Sequence, residues 1–395
     1  MKRYCKEGCI LKNYFGAPIK KLGFGFMRLP ATSEKPDSEI DIEHVKKMVD
    51  LYMERGFSYF DTAFVYNNGK SEEAIRLAVS ERFPRDKFQA ATKLPLWKPV
   101  DFDQMQEMTN TSLDRMGLKF FDLYLLHGVG PGRLEMLDNT KAWDYLASVR
   151  ETGKAKNIGF SYHGDSDTLN RILDAHAKDL DIVQLQINYL DWEDENIQSK
   201  KCYEAAVAHG VGIIVMEPVK GGSLANFTPA VADVFKRANP DASIASWALR
   251  FPLNLEEVVT VLSGMSSIEQ VVDNTAIADA TGPLTEAEMT VIAEAMTELK
   301  KVSTIPCTDC RYCVGDCPQK INTPRIIGVI NDFTKYQNIA SAKRLYNLIT
   351  SGAAMLGGGA PAKSSDCIEC GSCEEHCPQS IKIVEAHKEA VRLFE

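Results

Sequence analysis

The sequence has no apolar run approaching the roughly 18 residues that a membrane-spanning helix requires. Its first stretch, MKRYCKEGCILKNYFG, has early basic residues but no apolar segment behind them, so no secretory leader is expected. Positive charge is not in excess: 45 Lys and Arg face 54 Asp and Glu, for a net charge of -9. Without a basic stripe, nucleic acid is not an expected partner. The first apolar strand is not followed by G-x-G-x-x-G, which counts against a doubly wound dinucleotide-binding sheet. What remains is a 395-residue chain, 45% hydrophobic and 25% charged, with the balance of a soluble, cytoplasmic protein of two domains.

Cysteine, by contrast, is abundant and unevenly placed. Of the 11, Cys5, Cys9 and Cys202 are scattered and the rest crowd into two clusters near the C-terminus. An odd total argues against a full disulfide framework, and the crowding suits metal ligation in a reducing compartment.

From about residue 20 to 278, short apolar runs alternate with amphipathic stretches. The strand candidates are 22–27, 57–61, 88–93, 121–126, 155–160, 182–187, 212–217 and 258–263. Helical spacing marks 41–55, where Ile42, Val45, Met48, Val49 and Tyr52 recur, as well as 71–80, 103–117, 141–152 and 267–278. Eight such alternations are the arithmetic of an α/β (β/α)8 TIM barrel. One more helix is expected over 284–300, opened by a Thr285–Glu288 capping box. Composition breaks at Pro306, which suggests a barrel over 1–300 and a small α-helical domain over 301–395. Between the cysteine clusters 324–350 reads as helix and 351–365 as a small-residue loop.

Each cluster has the form C-x2-C-x2-C-x3-C-P: Cys307, Cys310, Cys313, Cys317 and Pro318, then Cys367, Cys370, Cys373, Cys377 and Pro378. Two such runs resemble two-cluster bacterial ferredoxins. Three close thiolates on a tight loop reach three corners of one cubane, and the fourth points to the other cluster. This assigns Cys307, Cys310, Cys313 and Cys377 to one [4Fe–4S] cluster, and Cys367, Cys370, Cys373 and Cys317 to the other. Zinc or spare thiols are the alternative, but zinc needs neither a third closely spaced Cys nor the C-P ending. Cys202, within KCYEAAVAHG, is expected to pack on a helix.

Barrel enzymes carry their chemistry at the C-terminal ends of the strands. There the sequence places Asp61 in FDTA, Lys93 in AATKL and His127 in LLHG, with Tyr66 in the loop after the second strand. Asp61 alone could cap a helix, Lys93 could be a solvated end and Tyr66 a rim aromatic. Together they describe a carbonyl-reduction site.

With LGFGFMRLP, FDTAFVYNNGKSEE, ATK, LYLLH, IGFS, VQLQINYLD, MEPVKGG and SGMSSIEQVVDN in order, residues 20–280 resemble the aldo-keto reductase family. The combination resembles its branch with a C-terminal ferredoxin-like extension. The resemblance implies an NADH- or NADPH-dependent oxidoreductase reducing a small carbonyl substrate. Tyr66 would give the proton, Lys93 would lower its pKa, Asp61 would hold Lys93, and His127 would orient the carbonyl oxygen. It also assigns Ser161 and Gln184 to the nicotinamide carboxamide, and Met27, Met216 and Asn274 to the cofactor. Gly221 and Gly222 would approach the pyrophosphate, although simple turn geometry also explains such glycines. Gly264 would open a helix facing the adenosine phosphate.

Three positions depart from the family pattern. Tyr162 follows Ser161 where Asn is common, Met216 replaces a stacking Tyr, and Ser267 and Gln270 stand where NADPH-dependent relatives have Lys and Arg. Losing two cations at a phosphate favours NADH or dual use, unless Lys220 or Arg250 supplies the charge. Phe26, Met27, Phe64, Trp97 and Val129 are candidates for an apolar substrate pocket or for simple rim packing. The clusters could be structural, could serve a redox partner protein or an unseen cofactor, or could belong to a sensor in which the barrel only binds nucleotide.

Overall fold

The computed structural model describes residues 14–16, 18–33, 38–280, 282, 284–315, 317–352 and 361–395. Eight parallel strands pair in chain order and close into a barrel. They are β1 (Leu22–Gly25), β2 (Tyr59–Asp61), β3 (Gln89–Pro95), β4 (Phe121–Val129), β5 (Ala155–Tyr162), β6 (Ile182–Gln186), β7 (Gly212–Met216) and β8 (Val258–Ser263). Most strand residues are buried, as expected of a parallel sheet covered on its outside by helices. The apolar runs therefore form the strands the sequence predicts. The first ends early, because Phe26–Arg28 turns into a 3-10 helix that buries Phe26 against Phe24 and Phe60.

The expected helices form over Ile42–Glu54, Phe102–Met116, Ala142–Glu151 and Ile268–Ala280. The stretch after β2 is a short α-helix, Lys70–Ile75, continued by a π-helical turn. The helix Ile42–Glu54 buries Val45, Met48, Val49 and Tyr52, and the Tyr52 hydroxyl donates to the carbonyls of Leu22 and Tyr59.

Inside the barrel, Tyr59, Ala91, Leu123, Leu125, Ile182, Ile214 and Leu262 form one apolar cluster with Phe15. Glycine makes room where backbones come closest. A Cβ on Gly159 would lie 1.9 Å from the Ile182 carbonyl oxygen.

The chain folds as two compact units. The first holds 1–218 and 248–284; the second holds 219–247 and 285–395. The Thr285–Glu288 capping box opens the helix Glu286–Leu299 as expected. The region 324–350 forms two helices rather than one, Thr323–Tyr336 and Ile339–Thr350. The break falls at Gln337, in the left-handed conformation, and Asn338 caps the second helix by accepting from the Ser341 N–H. Residues 353–360 of the small-residue loop lie outside the described residues, as do Cys5 and Cys9. Cys202 is buried on the helix Ser199–Ala208.

The cysteine-rich tail is an internal repeat. Each copy has a thiol loop, a single helical turn (Tyr312–Gly315 or Ser372–Glu375) and a longer helix (Thr323–Tyr336 or Ile383–Phe394). Left-handed residues recur in matching places: Asp309 with Glu369, Arg311 with Gly371, and Lys320 with Ser380. The two copies share a core that includes Ile321, Ile327, Ile330, Ile381, Ile383 and Phe394.

Gly159→Ala pushes a methyl group into backbone that cannot give way. It should cost at least about 3 kcal/mol, read from the urea midpoint. An unchanged midpoint would contradict the β5–β6 packing.

Candidate active site and cysteine centres

Side chains alternate along a strand, so the inward row of each strand continues from the apolar cluster toward the C-terminal rim. In β2 the row runs from Tyr59 to Asp61, and in β3 from Ala91 to Lys93. In β4 it runs from Leu123 and Leu125 to His127, and in β6 from Ile182 to Gln184. The polar ends of these rows meet. The Lys93 ammonium donates to Asp61 Oδ1 at 2.5 Å and to the Thr62 carbonyl at 2.7 Å. Both side chains of the pair are buried, Lys93 being 1% exposed and Asp61 5%. Gln184 Nε2 donates to the other Asp61 oxygen at 3.2 Å.

Tyr66 lies over this pair. Lys93 Nζ is 5.1 Å from its ring centre, close enough for its charge to act on the phenol. Burial raises the phenol pKa, and the Lys93 charge offsets this only in part. The expected lowering therefore does not result, and the phenol keeps its proton. Burial works against the Lys93 charge, but Asp61 and Tyr66 outweigh it and hold the ammonium pKa above its ordinary range. His127 meets Tyr66 edge to face at 5.7 Å and Trp97 at 5.4 Å. Burial first, then the charges of Lys93, His163 and Arg133, push its pKa well below the usual value, so it is a neutral imidazole. Its Nδ1 is buried and has no hydrogen-bond partner among the described residues.

The loop carrying Tyr66 is held by two groups that the sequence alone does not single out. Glu72, fully buried, accepts from Thr92 Oγ1 at 2.7 Å and pairs with Arg115 at 3.2 Å. Arg115 also donates to the Phe64 carbonyl and lies over the Phe64 ring. The one sequence signal near them is the run FDTAFVYNNGKSEE, which contains Glu72 but not its partner. Of the apolar pocket candidates, Phe26 and Val129 are buried in packing, Met27 is 43% exposed, and Trp97 faces His127.

Of the residues assigned to the cofactor, Ser161 accepts the Gly128 N–H at 2.8 Å, which leaves its hydroxyl hydrogen to donate. Gln184 spends its amide N–H on Asp61, which leaves its carbonyl oxygen to accept. Tyr162 turns away, donating to the Asp165 carbonyl at 2.6 Å. Met216 ends β7 beside Gln186. At the start of the helix Ile268–Ala280, Ser267 Oγ accepts from the Gln270 N–H, and the Gln270 side chain accepts from the Ser266 N–H. Asn274 Nδ2 donates to Ser263 Oγ. Gly264 has ordinary room for a side chain beside Arg28, so no steric need explains it. Gly221 and Gly222 both have positive φ, in the turn Lys220–Ala225. Lys220, Gly221 and Gly222 fall in the second compact unit.

The cluster cysteines line two hollows. Cys307, Cys310, Cys313 and Cys377 surround one. Cys317, Cys367, Cys370 and Cys373 surround the other. All eight are free thiols. Among the described residues, no group of three or more His, Cys, Asp or Glu side chains is gathered tightly enough to hold a single metal ion.

The aldo/keto reductase family model matches residues 21–297. The chain belongs to the aldo/keto reductase family. Residues 306–381 match a 4Fe-4S dicluster domain. A Mycolicibacterium smegmatis aldo-keto reductase is 32% identical over 130 residues, spanning 33% of this chain and 44% of that relative. The NADH-specific methylglyoxal reductase of Escherichia coli is 25% identical over 286 residues, covering 62% of this chain and 85% of the relative. The solved holo form of a Bacillus halodurans aldo-keto reductase superposes with a TM-score of 0.55 at 25% identity, covering 70% of this chain and 91% of that one. Among the described residues, no helix is long and apolar enough to cross a membrane.

Within this reductase barrel the Asp61–Lys93 pair can be tested thermodynamically. Lys93→Met strands a buried carboxylate and should cost about 3–5 kcal/mol at pH 7. Without its cation Asp61 takes up a proton on folding, so its folded pKa lies above the unfolded value. Stability then falls as pH rises between those values, and the variant should recover part of the loss at pH 5. Lys93→Met combined with Asp61→Asn should recover most of it. Urea unfolding at the two pH values measures this, and a loss independent of both pH and Asp61 would contradict the pairing.

Proposed function

We propose that the barrel is an NAD(P)H-dependent carbonyl reductase and that the tail holds two [4Fe–4S] clusters. One observation carries the first reading: a protonated, half-buried phenol rests on a charged lysine beside a neutral imidazole, at the strand ends where barrel chemistry takes place.

A reduced nicotinamide, when bound, supplies the hydride. The chain does the rest. Lys93 donates to the Tyr66 oxygen, so the Tyr66 hydrogen is left to point at the substrate oxygen. As negative charge develops there, Tyr66 gives up that proton, and the Lys93 charge stabilises the phenolate left behind. Asp61 fixes Lys93, and neutral His127 donates an N–H to the same oxygen. The carboxamide of a nicotinamide offers one acceptor and one donor pair. Ser161 has a free donor hydrogen and Gln184 a free acceptor oxygen, so the residues fit that group.

We favour NADH. Ser267 and Gln270 are engaged in capping and bring no cation to a 2′-phosphate, and the relative from Escherichia coli is NADH-specific. Arg28, whose side chain borders Gly264 and pairs with Glu217 at 3.7 Å, is the cation that would reverse this preference.

For the tail, the support is the division of the thiols. Each hollow takes three cysteines from one run and the fourth from the other, the exchange that two-cluster ferredoxin runs use. Thiols set around a hollow, rather than drawn to a point, suit a cubane better than zinc.

Tyr66→Phe should lower aldehyde reduction about 10²- to 10⁴-fold and leave NADH affinity unchanged in a fluorescence titration. Near-normal turnover would end the proposed role, and much tighter NADPH binding would reverse the cofactor assignment. Anaerobically purified protein should contain about eight irons per chain. Cys377→Ala should alter the same cluster signal in electron paramagnetic resonance as Cys310→Ala, not the one altered by Cys370→Ala. A match with Cys370→Ala would refute the exchanged ligands.

A further inference from the structure

We propose that the reductase site includes an anion subsite, built by Arg133 and Trp97 beside His127, and that the substrate is a short oxo acid whose carboxylate binds there. The proposal rests on the carbonyl-reductase reading and names its substrate class.

Arg133 ends the turn Pro131–Arg133 that follows β4. Its side chain folds back so that Nη1 donates to the Gly128 carbonyl, next in the chain to His127. That contact is neutral. Among the described residues no carboxylate pairs with Arg133, although the guanidinium is partly buried. Its charge is felt at both His127 and His163, which places it on the active-site side of the turn.

Gly128 is left-handed and leaves one side open. A Cβ there would meet Arg133 Nη1 at 2.8 Å and Trp97 Nε1 at 3.6 Å, so a guanidinium and an indole N–H share that opening. The Trp97 N–H makes no hydrogen bond within the described residues, and its ring faces His127. Glu217, an acid whose charge reaches both Tyr66 and His163, is paired with Arg28.

A partly desolvated guanidinium without a counter-charge gains most from an anion that brings two oxygens. With Nη1 spent on Gly128, the remaining guanidinium N–H groups and the indole N–H suit the flat pair of oxygens of a carboxylate. His127 and Gly128 are consecutive, so an anion at Gly128 and a carbonyl oxygen at His127 are separated by only a few carbons.

Steady-state kinetics on the full chain with NADH test this with two aldehydes of similar size, 4-oxobutanoate and pentanal. The wild type should favour 4-oxobutanoate in kcat/KM by about 10- to 100-fold, the worth of a charged hydrogen bond. In Arg133→Leu the ratio should fall toward one, mainly through KM, and Arg133→Lys should restore part of it. Equal use of both aldehydes by the wild type, a ratio unmoved by Arg133→Leu, or a preference for glyceraldehyde 3-phosphate over 4-oxobutanoate would overturn the proposal. If neither aldehyde is reduced, the reductase reading fails, and succinate binding followed by tryptophan fluorescence decides the subsite. Binding lost in Arg133→Leu supports it, and equal or absent binding in both proteins overturns it.

Discussion

The candidate site depends on one buried ion pair. Lys93 and Asp61 sit on neighbouring strands of a closed barrel with almost no exposure. Removing two charges from water costs several kcal/mol each, and mutual attraction repays this only when every remaining donor and acceptor is satisfied. Here the ammonium also donates to the Thr62 carbonyl, and the second carboxylate oxygen takes the Gln184 amide. A pair so fully satisfied is rigid. That rigidity gives Tyr66, which lies on a loop, a fixed place above a strand residue. The Glu72–Arg115 pair secures the same loop from its other side.

Burial of this group sets the protonation states around it. A phenol pushed up by burial and only partly relieved by Lys93 remains an acid. An imidazole pushed down by burial and by nearby cations remains neutral. Both are then neutral hydrogen-bond donors, the state that the proposed carbonyl reduction needs at neutral pH. The same cations that keep His127 neutral include Arg133, so the charge that would recruit a carboxylate also tunes the group that would hold the carbonyl.

The tail follows a different logic. Its core is small and the repeat doubles a short unit, so the thiol loops depend on left-handed turns at Asp309, Arg311, Glu369 and Gly371 to bring their cysteines around a hollow. The second compact unit also takes in the segment 219–247, which the chain inserts between β7 and β8. Lys220 belongs to that segment, and its charge works against the rise in the Asp332 pKa that desolvation causes.

The sequence by itself determined the alternation of strands and helices, the barrel, and both cysteine runs. These are local signals: apolar runs of strand length, helical spacing at Ile42–Tyr52, and thiols a few residues apart. It also named Asp61, Tyr66, Lys93 and His127, because each falls at or just after the C-terminal end of a predicted strand. Tertiary structure decided what alternation cannot express. It turned Gln184 toward Asp61, spent Ser267 and Gln270 on a helix cap, raised the Tyr66 pKa where a lowering was expected, and broke the helix at Gln337. Among the described residues it also left Arg133 without an acid. The reason is physical: pairing and desolvation depend on which groups meet across the barrel, and partners such as Gln184 and Asp61 are far apart in the chain.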